Sequence, residues 1–325
     1  DTNKLSENRR DMAKIVISEF MDNAAVQSLR DHHDVHHDVT LADDAGTLKS
    51  VIAQADALIV RNRTQVTAGL IADASNLKAV GRLGVGLDNI DLDACRSRSI
   101  VVLPATGANA ISVAEYVLCT AMMLLRGPVF FGTAELLAAS WPRSEMSRGE
   151  EINGKTMGLV GFGSIGQATA KLARATGFRT IAHDAFLPAD DAAWATTVRY
   201  ATLAGLLEDA DVISLHCPLT PQTEGLVGPM QFAAMKPGAI IINTARGGII
   251  DESALAEALR SGRLGGAATD VFASEPITQD TAALFTGVPN LILTPHVAGV
   301  TKESNERISA ITAENVLRAL QENSS

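Results

Sequence analysis

The stretch Thr156-Met-Gly-Leu-Val-Gly161-Phe-Gly163-Ser-Ile-Gly166-Gln-Ala-Thr-Ala-Lys171 decides how this chain folds. A short apolar run, 156–162, ends in Gly-x-Gly-x-x-Gly and passes into a segment with helical composition, Gln167–Gly177. In a strand–turn–helix unit each glycine has a separate duty: Gly161 makes the tight turn, Gly163 lets the backbone approach a pyrophosphate, and Gly166 lets the helix lie on the strand. The helix N-terminus then faces the phosphates with unpaired N–H groups and the positive end of its dipole. The next apolar run, Arg-Thr-Ile-Ala-His-Asp, ends at Asp184, eighteen residues beyond Gly166. The dinucleotide fingerprint places an acid about 20 residues on, bonded to a ribose 2′-hydroxyl. Asp184 would repel a 2′-phosphate, and no arginine stands beside it in AHDAFLPADD, so the pattern predicts NAD rather than NADP.

The same alternation continues on both sides. Downstream, DVISLHC (211–217), AIIINTA (239–245), AATDVF (267–272) and LILTPH (291–296) read as further strands, six from residue 156 onward. Upstream, KIVISEF (14–20), ALIVRN (57–62), KAVGRLG (78–84) and IVVLPA (100–105) alternate with helical segments at 23–30 and 48–55. A long apolar helix spans 112–126, the small-residue stretch 138–154 interrupts the pattern, and an amphipathic helix closes the chain at 302–321. Apolar strands alternating with helices mark parallel α/β layers. The expected fold class is thus α/β, with two Rossmann-like doubly wound units.

Composition agrees and excludes other classes. The 325 residues are 46% hydrophobic and 4% aromatic with 26 glycines, and 27 basic against 37 acidic residues give a net charge of -10. An acidic chain lacks the cations that displace counterions from nucleic acid or dock on anionic lipid. No apolar run approaches the ~18–20 residues that span a bilayer. Cys95, Cys119 and Cys217 form no C-x-x-C pair, which points to a reducing cytoplasm. Residues 1–11 are polar without an apolar signal segment; they read as a disordered leader or an expression remnant, with Met12 as the native start.

A second group of residues gathers at predicted strand ends: Arg246 after AIIINTA, Asp270 and Glu275 in TDVFASEP, and His296 closing LILTPH. Carboxyl ends of parallel strands are where ligands bind. Arg can clamp a carboxylate with its two-pronged fork. His exchanges protons near neutral pH, and a carboxylate behind it fixes its tautomer. Taken by spacing alone, these residues could equally be an ion pair plus a histidine bonded to backbone.

The segments GRLGVGLDNIDL, PATGANAISVAEYVL, LVGFGSIGQ, INTARGGIIDESAL, DVFASEP and TPHVAG together resemble the D-isomer-specific 2-hydroxyacid dehydrogenases, across almost all of 12–320. The resemblance implies a split architecture: a substrate domain from 12–108 plus 300–325, and an NAD-binding domain inserted at 109–299. It implies that Arg246 holds the substrate carboxylate and carbonyl, His296 is the acid–base group and Glu275 its partner. It implies that the amides of Val85 and Gly86 bind the substrate carboxylate, and that Ser164 and Ile165 contact the pyrophosphate. Asp270 would sit near the nicotinamide, with Cys217, Thr244, Ala245 and Gly299 along the cofactor path. A homodimer is implied, with Trp141 either an anchor at its interface or a residue at the partner's active-site rim. The fold is shared with NAD-binding corepressors of the C-terminal-binding type, a binding function that turnover would distinguish.

Two features remain. His32, His33, His36 and His37, framed by Asp31, Asp34 and Asp38, have spacing that would suit a helix face, yet lead toward a short strand without a distant third ligand; no metal is expected there. Arg61-Asn62-Arg63-Thr64 closes the strand ALIV and is either a basic surface turn or a receptor for a second substrate anion. A narrower resemblance, carried by ISEFMD, LIVRNRTQV, HDAFLPADDAAW and GVTKESNERIS, is to sulfolactate dehydrogenases, with 3-phosphoglycerate dehydrogenases and glyoxylate/hydroxypyruvate reductases as alternatives.

Overall fold

The computed structural model describes residues 12–130 and 132–322, so the expected leader at 1–11 lies outside the described residues. The chain divides into two compact units, Asp1–Asn109 with Val300–Ser325, and Ala110–Gly299.

The first unit is built on a five-stranded sheet: β1 (Lys14–Ile17), β2 (Asp34–His37), β3 (Ala57–Val60), β4 (Ala79–Arg82) and β5 (Val101–Pro104). The strands are all parallel, in the order β2-β1-β3-β4-β5. Successive residues of a strand face opposite sides, and both sides are covered here. Ile15, Ile17 and Ile59 pack on one face with Leu29 of helix Asn23–Arg30 and with Ile308 and Val316 of the closing helix Lys302–Glu322. Val16, Leu58 and Val60 pack on the other with Ile52 and Ile71. Each such fully buried side chain contributes about 1.5–3 kcal/mol of transfer free energy. Gly81 in β4 is what lets the closing helix in, since a Cβ there would lie 2.8 Å from Val316 Cγ2. The helix expected at 48–55 begins earlier, at Ala45, because Asp44 Oδ1 accepts the Thr47 N–H at 3.0 Å and caps it there.

The second unit contains β6 (Thr156–Val160), β7 (Arg179–His183), β8 (Val198–Arg199), β9 (Val212–Leu215), β10 (Ala239–Asn243), β11 (Leu264–Thr269) and β12 (Leu291–Leu293). All seven strands are parallel, in the order β12-β11-β10-β9-β6-β7-β8. Read from the other edge this is the doubly wound dinucleotide-binding order with one strand added, and it reverses direction between β6 and β9. The two-residue β8 has no sequence signature, so six candidate strands became seven. The strand read as 267–272 instead runs Leu264–Thr269. Its opening glycines look like a turn in sequence, but they belong to the sheet: a Cβ at Gly265 would lie 2.3 Å from Gly238 O, and one at Gly266 2.5 Å from Asn290 Nδ2. The shift leaves Asp270 just past the strand end. Among the described residues no helix is long and apolar enough to cross a membrane.

Candidate active site

In the second unit the turn between β6 and helix Ser164–Ala175 sits where the strand order reverses. Gly161 has φ +92°, and a Cβ there would press on His216 C and O at 2.8 Å. Gly166 meets Gly161 O at 2.4 Å in the same sense, so the helix lies directly on the turn. Around Gly163, by contrast, a Cβ would have nothing within 4 Å. Gly163 and Ser164 are exposed, Ile165 half-buried, and no side chain caps this helix. The middle glycine thus opens onto free space at a helix N-terminus, the arrangement that receives a pyrophosphate.

Asp184 closes β7 beside this turn. Its Oδ2 accepts the Phe162 N–H at 2.7 Å, and its Oδ1 accepts Phe186 and Leu187 N–H, both at 2.9 Å. Burial pushes the carboxyl up, but the three N–H donors outweigh it and hold Asp184 below the usual range. Phe162 is fixed from its other side by Trp194, stacked at 4.8 Å between centroids.

Two buried polar atoms on the same rim lack a partner among the described residues: His216 Nε2, just past β9, and Thr244 Oγ1, just past β10. Buried donors and acceptors are normally satisfied, so these two suit a group that hydrogen-bonds there. His216 is lowered to about 3 by burial and is therefore neutral. Cys217, half-buried beside Gly161, has its thiol pushed up by burial, which fits a lining residue rather than a nucleophile. Ala245 is 9% exposed, its N–H held by Asn243 Oδ1 at 3.0 Å, while Asn243 Nδ2 donates to Arg246 O at 2.9 Å. Asn243 therefore shapes the turn that carries Arg246, itself a half-buried residue. Open space at Gly163, the ionised Asp184 and the two orphaned atoms together fit a nicotinamide dinucleotide.

His296 and Glu275 are brought together in the same unit. Glu275 Oε2 lies 2.7 Å from His296 Nδ1, and Glu275 Oε1 accepts the Phe272 N–H at 2.9 Å. A carboxylate only accepts, so Nδ1 carries the proton and Nε2 is left as the unprotonated nitrogen of the neutral ring. Asp270 is 1% exposed and braces the histidine loop: its carboxylate accepts from Thr294 Oγ1, Val297 N and Ala298 N. Sequence reasoning missed Thr294 and His216; both flank recognised motifs, in TPH and LHC, but nothing in their spacing distinguishes them from strand-end fillers. Gly299 is half-buried at the end of this unit.

In the first unit the strand order reverses between β1 and β3, and Arg61 begins the loop after β3. The buried Glu19, just past β1, accepts four backbone N–H groups of this loop: Arg61 (2.8 Å) and Thr64 (3.0 Å) on Oε1, Asn62 (3.3 Å) and Arg63 (3.1 Å) on Oε2. No sequence signal foretold it. Arg61 donates to Asn305 Oδ1 at 2.6 Å and burial draws it below its ordinary value, against the pull of the Glu19 charge. Arg63 is instead turned to the surface and paired with Asp43. Val85 and Gly86 follow β4 in an irregular, half-buried turn, and their amides donate to no group among the described residues. His36 and His37 lie in β2, on opposite faces of a strand rather than one face of a helix, with His37 Nε2 3.1 Å from Glu19 O. Among the described residues no group of three or more His, Cys, Asp or Glu side chains is placed to hold a metal.

The family described as "D-isomer specific 2-hydroxyacid dehydrogenase, NAD binding domain" matches residues 119–298. The (S)-sulfolactate dehydrogenase of Chromohalobacter salexigens is 55% identical over 309 residues, 95% of this chain and 99% of that protein. The hydroxypyruvate reductase of Thermotoga maritima is 37% identical over 308 residues, 94% of this chain and 98% of that one. The D-lactate dehydrogenase of Aquifex aeolicus, solved with NAD and lactic acid, superposes with a TM-score of 0.79 at 26% identity, over 95% of this chain and 96% of that one. The chain therefore belongs to the D-isomer specific 2-hydroxyacid dehydrogenase family and is an NAD-dependent oxidoreductase.

Proposed function

We propose that this enzyme interconverts a D-configured 2-hydroxy acid carrying a second anion at C3, sulfolactate first, with its 2-oxo acid, using His296, Glu275 and Arg246. The observation that carries the chemistry is the 2.7 Å bond between Glu275 Oε2 and His296 Nδ1. When bound, NAD supplies the hydride acceptor, or as NADH the donor, at its nicotinamide ring. His296 Nε2 gives the proton to the carbonyl oxygen in reduction and removes it from the hydroxyl in oxidation. Glu275 stabilises the imidazolium between these events. Arg246 stabilises the negative charge that grows on that oxygen and holds the adjacent carboxylate. On this reading Asp184 takes the adenosine ribose hydroxyls, and the turn from Gly161 to Gly166, with Ser164 and Ile165, takes the pyrophosphate. Cys217, Thr244, Ala245, Asp270 and Gly299 line the remaining cofactor path.

The substrate reading rests on the 55% identity to an (S)-sulfolactate dehydrogenase and on Arg61 standing at the strand reversal of the first unit. The stereochemical descriptors agree. Replacing the methyl of D-lactate by a sulfonatomethyl group exchanges the priorities of C1 and C3, so the same spatial arrangement is named (S). The residue ranges 12–108 with 300–325 act as the substrate domain and 109–299 as the NAD domain. Phe130, Leu137 and Trp141 are 57%, 85% and 77% exposed within one short segment, which favours a homodimer that covers them. The three free cysteines favour the cytoplasm. The test is a panel of sulfopyruvate, hydroxypyruvate, 3-phosphohydroxypyruvate, glyoxylate, pyruvate and oxaloacetate with NADH. Preference for sulfopyruvate supports the reading; preference for 3-phosphohydroxypyruvate or for glyoxylate and hydroxypyruvate moves it to those activities, and no turnover at all points to an NAD-binding partner protein.

A further inference from the structure

We propose that Tyr116 is a positioning residue for His296, acting through Thr294 and Asp270; this rests on the reading of His296 as the acid–base group. Tyr116 projects from helix Ala110–Leu125, and its hydroxyl lies 2.7 Å from Thr294 Oγ1. Thr294 Oγ1 in turn lies 2.5 Å from Asp270 Oδ1. A carboxylate can only accept, so the single Thr294 proton is committed to Asp270, and the phenol must be the donor to Thr294. The relay therefore has one direction, from Tyr116 to Thr294 to Asp270. Burial pushes the Tyr116 phenol up, so it keeps its proton through the working pH range.

Asp270 then holds three consecutive amides. Its backbone oxygen accepts His296 N–H at 2.7 Å, Oδ1 accepts Val297 N–H at 2.8 Å, and Oδ2 accepts Ala298 N–H at 2.8 Å. His296 itself has φ +55°, in the left-handed region that a side chain with a Cβ rarely occupies. Such a conformation persists only where its surroundings over-determine it. Asp270 supplies that constraint, and the hydroxyl relay orients Asp270 and steadies its buried charge. Linked hydrogen bonds polarise one another, so losing the first donor weakens those that follow.

The experiment measures steady-state reduction of the best 2-oxo acid of the panel with NADH, together with hydrogen exchange of the Val297 and Ala298 amides. Tyr116→Phe is expected to lower kcat about 3–10-fold, the effect of one net hydrogen bond, while both KM values stay within about twofold. Thr294→Val lowers it at least as much, Thr294→Ser restores it, and the double variant Tyr116→Phe/Thr294→Val is no worse than Thr294→Val alone. Exchange at Val297 and Ala298 quickens in Tyr116→Phe. An unchanged kcat, multiplied losses in the double variant, or a defect confined to KM would overturn the relay. Should Tyr116→Phe fail to fold, the Thr294→Val and Thr294→Ser pair decides, and equal activity in those two overturns it. His296→Ala is the control: full turnover there removes the acid–base reading, and the exchange measurement still judges the relay.

Discussion

Glu275 grips both the histidine and its own loop: Oε2 bonds His296 Nδ1 at 2.7 Å while Oε1 accepts the Phe272 N–H at 2.9 Å. With both oxygens placed, the imidazole has its tautomer set and its other nitrogen directed outward. The geometry describes a base oriented by a carboxylate, the general form of an acid–base dyad.

His296→Ala should therefore cost at least ~100-fold in turnover, since a positioned acid–base group contributes about 10²–10⁴. Glu275→Gln keeps the shape but removes the charge that favours imidazolium, so the alkaline limb of the reduction profile should move to lower pH. A kcat profile superimposable on that of the wild type would show that Glu275 does not tune the histidine.

Asp184 stays ionised beside the glycine turn because three N–H donors outweigh its burial. NADH should exceed NADPH in kcat/KM by well over tenfold, since facing a 2′-phosphate with a carboxylate costs more than ~1.4 kcal/mol. Asp184→Ala should narrow the ratio chiefly by lowering efficiency with NADH. Equal use of both cofactors by the wild-type enzyme would remove the assignment.

Much of this architecture was legible because it depends on local signals. The glycines at 161, 163 and 166 announce a turn whose φ and packing only glycine meets, and apolar runs announce buried parallel strands. What stayed hidden depends on tertiary approach. Gly265 and Gly266 look like a turn until Gly238 and Asn290 are seen against them. Glu19 looks like any exposed acid after a strand, yet it gathers four amides from a loop more than forty residues away. Arg61 and Arg63 are indistinguishable in sequence; the fold turns one to Asn305 and the other to Asp43 at the surface.

His216 offers a pH test of stability rather than of catalysis. Burial lowers it from 6.5 to about 3, so the folded protein keeps it neutral where the unfolded chain protonates it. Its contribution is complete above pH 6.5 and declines as pH falls from there toward about 3. Thermal melting of the cofactor-free protein should accordingly fall on acidification, and His216→Gln should flatten that fall. Parallel melting curves for the two proteins across this window would show that the ring is solvated.

The last expectation concerns substrate charge. On the proposed reading Arg246 takes one carboxylate, and an enzyme for a plain 2-hydroxy monoacid has little use for a further half-buried cation at a strand reversal. Arg61 is such a cation, held on Asn305 and fixed by the Glu19 clamp on its own amide. Arg61→Ala should raise KM for sulfopyruvate by ~10-fold or more, because a charge-assisted hydrogen bond contributes about 1.5–3 kcal/mol. The same change should matter far less for pyruvate or glyoxylate. Arg63→Ala should leave both almost unaffected, since that side chain is spent on an exposed pair with Asp43 whose contribution is small. If Arg61→Ala loses efficiency equally on mono- and dianionic acids, then Arg61 supports the fold or the shared carboxylate site. The second-anion idea would fall, and the proposed roles of His296 and Glu275 would be untouched.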